Sequence, residues 1–207
     1  MDCIEAIRLL ADSSQKKAAH ITVRGPFPNR IRLIDANRKL SGNRIVLNGV
    51  SHFISEKQNT VYFTCLGTKL KTVWNKPDYP FNPHVTIYDG SSKTFASKLY
   101  EIISRYKYFL GFHADKITAL ITKNGQKGSY EKLWFNEDNV TNVIGETLEA
   151  STIDGLSEER RLFLIDRLCS FLNDYSLRTG EQFLSQDKTD RMSVKDTLSA
   201  LKEAFIF

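Results

Sequence analysis

The sequence predicts an α+β fold with mainly antiparallel sheet, on three observations. Short runs rich in Val, Ile, Tyr and Phe alternate with stretches of helical periodicity as far as Phe135. All five prolines lie at or before Pro83. Beyond residue 136 the chain turns helical and acidic. With 207 residues, 41% hydrophobic and 11% aromatic, the chain suits one ordinary domain with a modest extension, and disorder is not the expectation.

The elements follow in order. In Asp2 to Asp12 the apolar Ile4, Ile7 and Ala11 recur at helical spacing. Lys16 and Lys17 lead into a short strand, Ala19 to Arg24, ended by Gly25-Pro26-Phe27-Pro28 because proline cannot donate to a ladder. Asn43 to Ile54 and Thr60 to Leu66 read as strands, and Gly67 to Asn75 as a helix. Pro83 precedes a strand, His84 to Tyr88, and Asp89-Gly90 marks a turn. Ser91 or Ser92 then caps a helix with apolar Phe95, Leu99, Ile102, Ile103 and Tyr106. Phe109 to Thr122 includes a strand, Lys123 to Ser129 is a loop, and Tyr130 to Phe135 is a closing strand.

Two helices are expected in the tail. Ser157 followed by Glu158 and Glu159 places acids at the positive end of a helix, with Leu162, Ile165, Cys169 and Leu172 along one face. Ser193 precedes a second stripe of Val194, Leu198, Leu201 and Phe205. Residues 1–136 hold 21 Lys+Arg against 10 Asp+Glu, a charge of +11; residues 137–207 hold 8 against 14, a charge of −6. The first part therefore attracts a polyanion and the second does not. The expected organisation is a domain over 1–136 and a helical, acidic extension or subdomain over 137–207. The tail is expected to cover a sheet face, with self-association through its helices or folding back on the basic cleft as rivals.

Some classes are excluded early. Cys3, Cys65 and Cys169 are odd in number and widely spaced, against a disulfide framework or zinc ribbon. No run approaches a membrane span, and Met1 to Leu10 lacks a signal-peptide pattern, so a soluble, cytoplasmic protein is expected. Gly125 to Ser129 lacks P-loop spacing, although Lys123 and Lys127 stand near enough in sequence to touch a phosphate. His52 and His113 stand outside any His-x-Thr frame and read as surface or packing residues.

The chemistry lies in two short strands. Alternation puts His20, Thr22 and Arg24 on one face and Ile21 and Val23 on the other. In the second strand His84, Thr86 and Tyr88 share a face, with Val85 and Ile87 buried. One neutral imidazole takes a proton from an attacking hydroxyl or water; a protonated one gives a proton to the leaving oxygen. Which histidine is the base stays open. Threonine hydroxyls donate to the phosphate oxygens where charge builds, and Arg24 adds a charge-assisted contact. Phe27 and Tyr88, and less so Trp74, Tyr79 and Phe81, are candidates to stack on a nucleobase. Tyr88 is preferred because alternation puts it on the histidine face. The histidines lack Cys or paired acids at ligand spacing, so no metal is expected.

His20-Ile21-Thr22-Val23-Arg24-Gly25-Pro26-Phe27 and Pro83-His84-Val85-Thr86-Ile87-Tyr88-Asp89-Gly90 resemble the paired motifs of the two-histidine (2H) phosphoesterase superfamily, which includes LigT-like 2′-5′ RNA ligases and cyclic phosphodiesterases. The resemblance covers roughly residues 15–136. It implies a bilobal fold, with two antiparallel-rich sheets around a central cleft. It implies a catalytic set of His20, Thr22, His84 and Thr86, no cofactor, and an RNA, oligonucleotide or cyclic nucleotide substrate. Two departures stand out: no strand precedes the first helix, and about 70 residues follow the family region. The rival expectations are a nucleotide- or RNA-binding module without catalysis, and an anti-defence or defence enzyme that degrades cyclic oligonucleotide messengers.

Overall fold

The computed structural model describes residues 2–14, 18–24, 33–76, 78–114, 117, 137–148 and 150–186. The elements are α1 (Asp2–Ala11), α2 (Ile34–Leu40), β1 (Asn43–Ile54), β2 (Asn59–Leu66), α3 (Leu70–Val73), β3 (His84–Gly90), α4 (Lys93–Ile103), β4 (Leu110–Ala114), α5 (Glu137–Ile144), α6 (Ala150–Ile153) and α7 (Glu158–Gln186). The strands form one four-stranded antiparallel sheet in the order β3-β2-β1-β4. The α+β class is therefore correct. The predicted loop 123–129, the closing strand Tyr130 to Phe135 and the helix after Ser193 lie outside the described residues.

Val61, Phe63, Cys65, Val85 and Ile87 are buried on the face that receives α1 and α4. On α1, Ile4, Ala6, Ile7 and Leu10 are buried, so this helix is covered on most of its circumference. On α4, Ser92 caps the N-terminus by accepting from Phe95 N at 3.2 Å, an arrangement worth about 1 kcal/mol. Ser157 serves α7 similarly, accepting from Arg160 N at 3.2 Å. Gly42 closes α2 with φ +65, a conformation that side chains with a Cβ rarely adopt.

The acidic tail joins the same hydrophobic core. Leu162, Ile165, Leu168, Cys169 and Leu172 of α7 pack in one cluster with Cys3, Ile7 and Leu10 of α1 and with the sheet. Tyr106 donates to Asp166 at 2.8 Å and Lys98 pairs with Glu158 at 2.8 Å, tying α7 to α4 and its C-terminal turn. Among the described residues, α7 packs on α1 and α4 more than on β4.

Two predicted elements differ. Gly67 to Asn75 yields only the single turn α3. Ala19 to Arg24 is not a strand with a continuous ladder. It makes two isolated bridges: Ile21 antiparallel to Val85, and Arg24 parallel to Asn75. The segment changes partner within four residues, from the edge strand β3 to the stretch after α3, so no regular ladder propagates.

Candidate active site

β3 carries His84 and Thr86 at the edge of the sheet, anchored by Val85 and Ile87 in the core. Its pairing with β2 sets Thr64 opposite His84 and Tyr62 opposite Thr86. The His84 ring lies against Tyr62, with centroids 4.7 Å apart. Its Nδ1 is 2.7 Å from the Asn82 carbonyl oxygen. A carbonyl only accepts, so Nδ1 is the donor, and the basic nitrogen of the neutral ring is Nε2.

The second segment repeats this geometry. His20 Nδ1 donates to the carbonyl of Ala18 at 2.7 Å, also two residues upstream. Val23 is buried and Ile21 packs against the core, while His20 is half-buried and Thr22 exposed. Asn75 N donates to Val23 O at 2.9 Å, and Arg24 Nε donates to Val73 O at 3.0 Å.

The bridge between Ile21 and Val85 sets how the two segments face each other. In antiparallel register the next residues out place His20 across from Thr86 and Thr22 across from His84. Residues across from each other share a face, with Cβ atoms about 4.5–5.5 Å apart, and diagonal neighbours lie at about 7–8 Å. The two histidines occupy one diagonal of this quartet and the two threonines the other.

Burial pulls the His84 pKa below the ordinary imidazole value, and the Lys76 ammonium adds to this; the Asn82 hydrogen bond and Asp89 oppose it. Lys76 was not legible as a site residue in the sequence. Its Nζ lies over the rings of Tyr79, at 4.6 Å, and Trp74, at 5.5 Å. Trp74 in turn meets Phe81 edge-on at 5.1 Å. Tyr79 and Phe81 are 56% and 43% exposed, so these two rings present aromatic surface shortly before the histidine strand.

Tyr88 is a correction. It does not share the histidine face: it is 8% exposed, packs on Phe95 at 5.1 Å, and accepts a hydrogen bond from Ser92 N at 3.2 Å. The cause is a β-bulge. Val61 pairs with Tyr88 but Tyr62 pairs with Thr86, so Ile87 is an extra residue and both Ile87 and Tyr88 turn inward. Gly90 permits this, because a Cβ there would collide with the Tyr88 hydroxyl. Phe27 lies outside the described residues. Among the described residues, no group of three His, Cys, Asp or Glu is placed to hold a metal ion. No described helix is long and apolar enough to cross a membrane.

On this α+β scaffold the two His-x-Thr segments are joined by the Ile21–Val85 bridge, and each imidazole is oriented through Nδ1. The 2′-5′ RNA ligase superfamily model matches residues 2–126, more than half the chain and including α1. The chain belongs to this superfamily, the LigT-like 2H phosphoesterases. No curated protein and no solved structure gives a match.

Proposed function

We propose that the protein is a metal-independent phosphodiesterase acting on a phosphodiester or 2′,3′-cyclic phosphate in RNA, a small oligonucleotide or a cyclic nucleotide. The observation that supports this most is the Ile21–Val85 bridge between the two His-x-Thr segments; a quartet of His20, Thr22, His84 and Thr86 about it is part of the proposal. For a cyclic phosphate, His84 Nε2 takes a proton from water as the water oxygen attacks phosphorus. The opposite P–O bond breaks in line, and protonated His20 gives its proton to the leaving ribose oxygen. Each turnover leaves His84 protonated and His20 neutral, and solvent exchange restores both. Burial and Lys76 favour neutral His84, which suits the base; the pair titrates as a coupled unit.

Thr22 and Thr86 donate to the nonbridging oxygens, where charge grows in the transition state. Arg24 keeps two amino groups beyond the Nε bonded to Val73 and adds positive charge beside them. With Tyr88 in the core, nucleobase stacking falls to Tyr79 and Phe81, next to Lys76.

The test is a panel of 2′,3′-cyclic mononucleotides, 2′-5′ and 3′-5′ oligonucleotides and cyclic dinucleotides, run in EDTA. Turnover of at least one substrate, lost in His20→Ala and His84→Ala, is the expected result. Tight binding across the panel without product would identify a binding module instead, and loss of activity in EDTA would overturn the metal-independent mechanism.

A further inference from the structure

We propose that the Glu5–Arg8 ion pair of α1 is a positioning device that sets the spacing of the two His-x-Thr segments. This rests on the phosphodiesterase reading above.

Glu5 and Arg8 stand three residues apart, on one face of α1. Arg8 Nη1 donates to Glu5 Oε2 at 2.8 Å, and the two side chains are only 4% and 14% exposed. Each partner also grips a different segment. The other carboxylate oxygen, Glu5 Oε1, accepts from the backbone N–H of Ala19, the residue before His20. Arg8 Nε donates to the backbone carbonyl of Thr86 at 2.8 Å. In the register of the Ile21–Val85 bridge, His20 lies across from Thr86, so the two grips fall at neighbouring places on the two chains.

Two physical points favour positioning over simple stability. First, among the described residues a single bridge joins the segment of His20 to β3. Past that bridge the segment is held at Val23 and Arg24 by Asn75 and Val73, away from β3. The Glu5 tie at Ala19 and the Arg8 tie at Thr86 act on the other side of the bridge, where the two backbones are joined through one ion pair. Second, a buried ion pair roughly breaks even against well-packed apolar residues, so stability alone does not call for one. The rest of the buried face of α1 is Cys3, Ile4, Ala6, Ile7, Leu10 and Ala11. A charged pair there is costly to desolvate, and what it supplies is directional bonding to two separate backbones.

The test compares wild type, Glu5→Ala, Arg8→Met, Arg8→Lys and the Glu5→Ala/Arg8→Met double variant, each with its melting temperature recorded. A misplacement of about 1 Å can cost about 100-fold in rate, and a loss of that order in kcat is expected for either single variant, with KM changed less than about threefold. The double variant is expected to lose no more than the worse single, because the pair acts as a unit. Arg8→Lys, which keeps a charge for Glu5, is expected to recover part of the loss. The readout independent of turnover is NMR titration of the His20 and His84 imidazoles with inorganic phosphate. In wild type one binding curve moves both rings; in folded Arg8→Met the two responses separate. A folded variant that lowers only the melting temperature, with kcat and the shared response intact, overturns the positioning role and leaves the phosphodiesterase reading standing. A wild type in which phosphate moves neither ring, and no substrate turns over, overturns both.

Discussion

The two His-x-Thr segments repeat one local pattern on unlike supports. His84 and Thr86 sit in β3, bonded along β2 for the length of the strand. His20 and Thr22 sit in residues 18–24, which touch the sheet through one bridge to Val85 and then turn to Asn75. Yet both imidazoles are oriented alike, each by an Nδ1 bond of 2.7 Å to the carbonyl two residues before it. Local hydrogen bonding therefore sets the ring, and a full ladder is not required. The ladder side differs at the threonine, since Thr86 is half-buried and Thr22 exposed. His84, against Tyr62 and near Lys76, is held toward neutrality by its surroundings.

The comparison breaks most visibly at the imidazoles. Alanine at His20 or His84 is expected to lower kcat by about 10²–10⁴, and the double variant little further, as measured by initial rates with chelator present. If one histidine proves dispensable, the segments are not equivalent. Valine at Thr22 or Thr86 keeps the shape and removes the donor, and a fall of about 10²–10³ in kcat is expected at either place. A much larger loss at half-buried Thr86 than at exposed Thr22 would show that the ladder side holds the phosphate alone.

Two tyrosines sharpen the contrast between face and core. Tyr88→Ala is expected to destabilise the protein by about 3–5 kcal/mol in urea unfolding, with KM for the remaining folded enzyme little changed. Tyr79→Ala is expected to do the reverse. It should leave the melting temperature near wild type and raise KM for base-bearing substrates by about one order of magnitude, within the 1–3 kcal/mol span of a stacked base.

The smallest expected effect is on pH dependence. The folded-state pKa of His84 is lowered, so the unfolded chain binds that proton more readily. The stability that His84 contributes is fully present above the ordinary histidine value of about 6.5 and is lost as pH falls through the lowered folded value. The acid limb of kcat/KM should accordingly lie below about 6.5. Lys76→Gln should move that limb toward higher pH, as read from a full pH–rate profile, and an unmoved limb would remove Lys76 from the site.

Much of this molecule was legible before its coordinates. The Val/Ile alternation around both histidines was enough to separate a polar face from a core face, because it depends only on the period of a strand. Ser92, Ser157 and the stripe Leu162, Ile165, Cys169, Leu172 were readable for the same reason: caps and helix faces are local. Tyr88 was misplaced because a bulge depends on the partner strand. Nothing in His84 to Gly90 alone says that β2 skips Ile87. The Glu5–Arg8 grip was invisible because Arg8 and Thr86 stand 78 residues apart in sequence. Lys76 and Asn82 reach the site only through the fold of the loop before β3.

The central claim is that imidazoles from two separate segments flank one phosphorus atom. The most direct measurement is a crystal structure of the protein with inorganic phosphate or vanadate bound at the quartet. The account predicts that Nε2 of both His20 and His84 lies about 2.6–3.2 Å from oxygens of the same anion, with the Thr22 and Thr86 hydroxyls alongside. An anion held by one histidine while the other points elsewhere would contradict it.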